Sequence, residues 1–450
     1  MNKMPPISID IKETFKLAIP IAIGQLGHIM MGVVDSMMVG RLGSASLAAA
    51  SLVNGLFFLV IVLGLGMSMA ITPLVAMAAG ADKKEDVKQI LNNGFLVNMV
   101  YSVILIILTY LVSCLIPYLN QPKEVVAPAM SYLRILIISI APFIVFQVFR
   151  SYLEGLSDVK PPMVIAILIN ILHVFFNWIL IFGKFGLKPM GLNGAGIATT
   201  FSRIIMMGAI LVYVYNYNKN KDLTPDISIK KYSRHLAKKI IQIGFPSGIQ
   251  YFTEVTAFAF SAIMIGWFGS ASLAAHQVAL NLASVTYMII LGLSSAGTIR
   301  VGTYMGARDY LGVRRAGFTA IIIAECIELF FSACLVITHN VIPHLYISDP
   351  AVVSIASNLL LVAAVFQLAD GIQATTIGVL RGLTDVKMPL IITFASYWII
   401  AIPLGYLIGV YFNLGAVGVW IGLCVGLFLI AFLCVLRFNH RNKILISQAG

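Results

Sequence analysis

The sequence predicts an all-α polytopic membrane protein, with twelve transmembrane helices arranged as two parallel six-helix repeats. Three observations carry that expectation. The 450-residue chain is 60% hydrophobic and only 11% charged, with a mean hydropathy of +0.96, and no water-soluble chain of this size disperses so much apolar surface. Apolar runs of about twenty residues or more, long enough to cross a hydrocarbon core of about 30 Å, recur along its whole length. The heptapeptide GSASLAA occurs twice, at Gly43–Ala49 and at Gly269–Ala275, and internal repetition decides architecture before any single motif does.

Twelve apolar cores lie at 13–39, 47–79, 90–117, 128–153, 162–183, 192–216, 239–266, 273–305, 312–342, 352–380, 389–411 and 416–438. The first is too long for a signal-peptide core and lacks a small-residue exit site, so it is expected to remain as a span. The five cysteines lie in or beside these runs without metal-ligand spacing and read as small hydrophobes. The net charge of +12 invites a nucleic-acid reading, but its placement opposes it. Twenty-one lysines and arginines fall at the termini and in the even-numbered loops, against four (Arg41, Lys123, Lys184, Lys188) in the odd-numbered loops. The positive-inside rule therefore places both termini in the cytoplasm of a cell inner-membrane, multi-pass protein.

Aligning the two heptapeptides extends the match at one offset of 226: Pro20 meets Pro246, Gly40 meets Gly266, and GMSMAITPLVAMAAGA (66–81) meets GLSSAGTIRVGTYMGA (292–307). One residue out of step, LEGLSDVKPP (153–162) meets LRGLTDVKMP (380–389). An even number of spans gives both halves the same orientation, the arrangement of transporters whose two bundles rock about a central site. The halves are expected at 1–218 and 238–450, with a polar linker at 219–237. The heptapeptide itself is duplicated scaffolding at an outer turn.

Charged groups at mid-bilayer cost about 2.5–3.5 kcal/mol on insertion scales and mark function by default. Asp35, Glu254, Asp370, Glu325 and Glu328 lie inside spans. Helical spacing lines up Ser247, Gln250, Tyr251, Glu254 and Ser261 on span seven, and Gln277, Asn281, Ser284 and Tyr287 on span eight. Gln367 and Gln373 flank Asp370 on span ten. Gln25, His28 and Asp35 line span one, and Asn170, His173 and Asn177 line span five. Polar stripes in lipid face the interior. Glu325 and Glu328 share one face of span nine and are expected to be structural or to meet the lipid interface.

Carried by VDSMMVGRLG with Asp35, EGLSDVKPP, NWILIFGKFG followed by GLNGAGIATT, AAHQVALN, RVGTYMGA and LRGLTDVKMP, the chain resembles the multidrug and toxic compound extrusion (MATE) transporters of the NorM-like branch over nearly its whole length. The resemblance implies a V-shaped exporter of small organic cations, driven by Na⁺ or H⁺ and needing no other cofactor. It assigns Glu254, Asp370 and Tyr287 to a C-lobe cation region, with Na⁺ possible at Glu254 and Asp370, and Asp35 and Asn177 to an N-lobe region. Gln277 and the outer-loop Asp349 match substrate-cavity positions, to which the stripes add Asn281 and Gln250, and Pro20 matches a bending proline of span one. His173 and Phe366 depart from the family's more usual Asn and Tyr.

Two carboxylates facing one low-dielectric cavity cannot easily both stay charged, so a coupling ion and an organic cation compete for the same negative site. The protein is expected to act as a monomer in the bilayer, with no nucleic-acid partner. A lipid-linked precursor flippase of the same superfamily would instead line its cavity with arginines, a polytopic enzyme would carry a catalytic constellation, and a channel would need a filter motif. The stripes here carry acids and amides, which disfavours the flippase without removing it as the alternative; no catalytic constellation is present, and no filter motif is evident.

Overall fold

Two prolines interrupt the first half of the chain, and each marks a local break that the second half lacks. In the computed structural model, residues 7–223 and 227–448 are described, and every regular element among them is helical. The first half contains α1 (Ile7–Gly40), α2 (Ser44–Met69), α3 (Ile71–Gly80), α4 (Lys84–Leu115), α5 (Lys123–Ile138), α6 (Ile140–Gly155), α7 (Lys160–Phe182) and α8 (Gly191–Lys221). The second contains α9 (Arg234–Gly266), α10 (Ser270–Gly306), α11 (Tyr310–Thr338), α12 (Ile342–Tyr346), α13 (Pro350–Gly382), α14 (Lys387–Phe394), α15 (Ile402–Tyr406) and α16 (Gly415–Ser447). Pro73 has no N–H for the Met69 carbonyl, and α2 ends at Met69. Pro142 likewise leaves the Ile138 carbonyl without its helical donor, and α5 and α6 meet there at 42°. The corresponding helices α10 and α13 carry no such proline and run unbroken.

Eleven helical stretches among the described residues are long and apolar enough to span a membrane, and the bent α5–α6 pair supplies a twelfth. The twelve expected spans therefore stand. The eleventh is irregular: two π-helical segments, Ala395–Ala401 and Leu407–Tyr411, flank α15 and its Pro403. Such widened turns absorb the missing donor of a proline and are frequent at functional positions.

The chain packs as two compact units, one formed by the chain up to Ala22 with Ile249–Gly450, the other by Ile23–Gly248. The changeovers fall inside α1 and α9, two residues after Pro20 and Pro246 in both cases, rather than in the polar connection. That connection is also shorter than the expected 219–237, because α8 runs to Lys221 and α9 starts at Arg234.

Repetition extends to single hydrogen bonds. The GSASLAA glycines, Gly43 and Gly269, start α2 and α10 at φ 112° and 99°, a conformation that favours glycine. Thr72 Oγ1 donates to the Ser151 carbonyl at 3.1 Å, and its counterpart Thr298 donates to the Gly378 carbonyl at 2.7 Å. Beside these bonds, a Cβ on Gly155 would lie 2.9 Å from the Thr72 carbonyl, and one on Gly382 would lie 2.8 Å from the Thr298 carbonyl. Close backbone approach replaces a hydrophobic driving force between helices in lipid. Gly155→Val or Gly382→Val is therefore expected to cost about 1–3 kcal/mol through overpacking, read as a lower unfolding midpoint in detergent. Gly208→Ala, where a Cβ meets nothing within 4 Å, should not lower it.

Candidate functional site

Each unit holds its own buried carboxylate cluster. In the Ile23–Gly248 unit, Asp35 of α1 is 7% exposed. Asn177 Nδ2 donates to its Oδ1 at 2.6 Å, and His173 Nε2 lies 2.8 Å from the same oxygen. Thr199 of α8 donates to Oδ2 at 3.4 Å. His173 and Asn177 stand one turn apart on α7, so one helix face presents both. His173 Nδ1 also meets Ser202 Oγ at 3.1 Å, which ties the ring to α8. The imidazole thus reaches Asp35 by nitrogen, beside the Asn177 amide. Thr199 and Ser202 escaped sequence reading because small hydroxyl residues inside spans usually bond their own helix backbone. Thr199 does so as well, at 3.0 Å to the Ala195 carbonyl. Gln25 is half-buried, and the side chain of His28 lies outside the described residues.

In the other unit, Glu254 of α9 and Asp370 of α13 are both buried and repel one another electrostatically. Both carboxylates act electrostatically on Tyr287 of α10 and on Tyr397 of the eleventh span, and Gln373 and Arg381 act on Glu254. Tyr397 Oη and Gln373 Oε1 are buried without a hydrogen-bond partner. Among the described residues no three His, Cys, Asp or Glu side chains gather to hold a metal, so any ion here would need neutral ligands as well. Phe366, at the other departure, packs edge-on against Phe258 and Trp420 with ring centroids 5.9 and 5.6 Å away.

Three residues were not visible as site members in the sequence. Tyr397 sits in a π-helical segment, where a period of 3.6 does not predict the inward face. Tyr251 appeared only as one member of a stripe. Arg381 counts with the loop charges by sequence, yet it is buried in the last turn of α13 with its guanidinium 5.7 Å from the Tyr251 ring centroid.

Of the other buried or half-buried arginines, Arg150, Arg300 and Arg315 are engaged away from the acids of these clusters, whereas Asp35 acts electrostatically on Arg203. Arg150 pairs with Glu154 at 2.7 Å, and Arg300 and Arg315 both pair with the fully buried Asp10. Arg203 donates to Ser139 Oγ at 2.8 Å and lies 4.7 Å from the Phe143 ring centroid, while Arg134 is exposed. Asp10 and Glu154 are thus structural ion-pair partners that sequence reading left among the loop acids.

Of the expected cavity residues, Gln250 is buried, whereas Gln277 and Asn281 are exposed and bond one another at 3.0 Å. Asp349 is exposed and caps α13, its carboxylate accepting the Ala351 N–H at 2.9 Å. Pro20 is buried within α1, which continues through it.

A twelve-span helical protein of two like-built repeats, with an acidic and amide-rich cluster buried in each compact unit, is a membrane transporter and not an enzyme. The family model described as MatE matches twice, over residues 20–179 and 246–407, the two matches starting 226 residues apart as the heptapeptides do. The chain belongs to this family, the multidrug and toxic compound extrusion transporters. It is 33% identical over 435 residues to the multidrug resistance protein NorM of Photobacterium profundum, covering 96% of this chain and 95% of that one. It is 32% identical over 440 residues to the multidrug resistance protein MdtK of Yersinia pseudotuberculosis, covering 97% and 96%. Its fold superposes on the eukaryotic MATE transporter AtDTX14 with a TM-score of 0.88 at 21% identity, covering 99% of this chain and all of that one.

Proposed function

We propose that this transporter is a cation-coupled antiporter that exports small, mostly cationic organic compounds in exchange for H⁺ or Na⁺. The observation that carries the reading is the burial of Glu254 and Asp370 together, beside oxygens that lack partners. A desolvated acidic pair binds either a coupling ion or an organic cation, and mutual exclusion of the two is what exchange requires. Differential affinity in two conformations then sets direction. Asp35 with Asn177 forms the second cation-responsive cluster. Gln250, Gln277, Asn281 and Asp349 line the substrate route, and Pro20 is where α1 bends when the transporter changes conformation.

The relatives' names, both multidrug resistance proteins, support the substrate class. The distribution of basic residues supports an inner-membrane location with both termini in the cytoplasm, and we read the working unit as a monomer. Fluorescent-cation efflux from inverted vesicles under separately imposed Na⁺ and proton gradients tests the proposal. Acceleration by one gradient identifies the coupling ion. Efflux indifferent to both would overturn ion coupling.

A further inference from the structure

Arg203 stands about 18 Å along α8 from its start at Gly191, well inside the sixth span. An arginine at that depth is costly unless it is paired or opens on the bundle interior, and it marks function by default. Arg150, Arg300 and Arg315 each reach a carboxylate. Among the described residues, Arg203 reaches none. Its Nη1 donates to Ser139 Oγ at 2.8 Å, and the remaining N–H groups have no protein acceptor. They are not sealed in either, because the side chain is only half-buried.

The guanidinium is nevertheless held in place. Its central carbon lies 4.7 Å from the Phe143 ring centroid and 5.3 Å from that of Phe57, so α6 and α2 each supply an aromatic face. Ser139 stands at the break between α5 and α6 and donates its own hydrogen to the Leu136 carbonyl at 2.6 Å, which leaves its oxygen to accept from Arg203. Neighbouring helices thus fix a planar, permanently charged fork with donors to spare. That geometry takes a carboxylate through paired N–H groups.

An acidic cluster meets the same face of α8. Thr199, which donates to Asp35 Oδ2 at 3.4 Å, lies four residues before Arg203, so the two share a face about 6 Å apart along the helix. Asp35 acts on Arg203 electrostatically, but its oxygens are bonded to Asn177, His173 and Thr199, and it forms no ion pair with the arginine. One helix face therefore serves a negative cluster and an unpaired positive group within the same compact unit.

We propose that Arg203 is an anion-recognising subsite of the Ile23–Gly248 unit, and that it binds the carboxylate of organic compounds that carry one beside their cationic centre. This rests on the export of organic cations proposed above and widens that class to amphoteric compounds. A compound with only a cationic centre gains nothing from Arg203 and meets its repulsion.

A rhodamine with a free carboxylate and its methyl ester differ at that one group. Binding of each dye to the purified transporter in nanodiscs is read by fluorescence polarisation with no ion gradient imposed. Arg203→Gln should weaken binding of the free acid about tenfold, the worth of a charge-assisted hydrogen bond, and leave the ester unchanged. Equal loss for both dyes in a folded Arg203→Gln protein would make the arginine a scaffold residue and overturn the proposal, as would no loss for either.

If that variant misfolds, the wild-type protein decides. Phenylglyoxal, which adds to accessible arginines, should modify Arg203, as read by mass spectrometry of its peptide. The free acid should protect it where the ester does not. An Arg203 that the reagent cannot reach, or that the dyes protect alike or not at all, would overturn the proposal. Because binding is measured without a gradient, efflux indifferent to both ion gradients would overturn coupling alone and leave this result standing.

Discussion

Glu254→Gln and Asp370→Asn are each expected to abolish or severely reduce ion-driven efflux while the protein still inserts and folds. Both replacements keep shape and volume and remove one negative charge. The two carboxylates are buried in one unit with Tyr287, Tyr397 and Gln373 around them, so each charge interacts with a bound cation under little solvent screening. Losing one charged partner of a buried pair costs about 3 kcal/mol, roughly a hundredfold in cation affinity. Neither amide can take up and release a proton in compensation. The measurement is dye efflux from inverted vesicles, with insertion checked by membrane yield and unfolding midpoint. Wild-type rates in correctly inserted variants would remove these residues from the coupling site.

Asp35→Asn is expected to lower efflux about tenfold or more with the fold intact. Asp35 collects Asn177, His173 and Thr199 from two other helices, and an asparagine there presents an amide N–H to at least one group that also donates. Hydrogen bonds to a charged acceptor are worth about 1.5–3 kcal/mol each, which sets the scale. His173→Asn, which keeps an amide N–H available to Asp35, is expected to keep efflux, and loss of efflux in a folded His173→Asn protein would show that the imidazole itself is required. Pro20 lies fifteen residues before Asp35, roughly 22 Å along the helix. Pro20→Ala should slow efflux by stiffening α1 and add little in the Asp35→Asn background, whereas simple addition of the two losses would separate the bend from the acid.

Legibility in the sequence followed the range of the interaction. A carboxylate inside an apolar run is conspicuous because the cost of placing it there depends on its own segment. Asp35, Glu254 and Asp370 could therefore be chosen without coordinates, and all three are buried. Which acids already have a basic partner is a matter of neighbours distant in sequence. Asp10 meets Arg300 and Arg315 some three hundred positions away, and nothing in the pattern around Asp10 announces it. Periodicity likewise says which side of α11 carries Glu328 but not which helix lies opposite. Its burial became evident only with Gly371 and Gln367 of α13 against it.

The sequence by itself determined the number of spans, the duplication and the family, because hydropathy and repeated motifs are properties of the chain read in order. Only the tertiary structure decided where α1 and α9 pass between compact units, that Tyr397 turns inward from a π-helical segment, and that Arg381 is buried against Tyr251. Each of these depends on how backbones approach in a medium without water, where unpaired polar groups must find partners on other helices and small residues set how close those helices come.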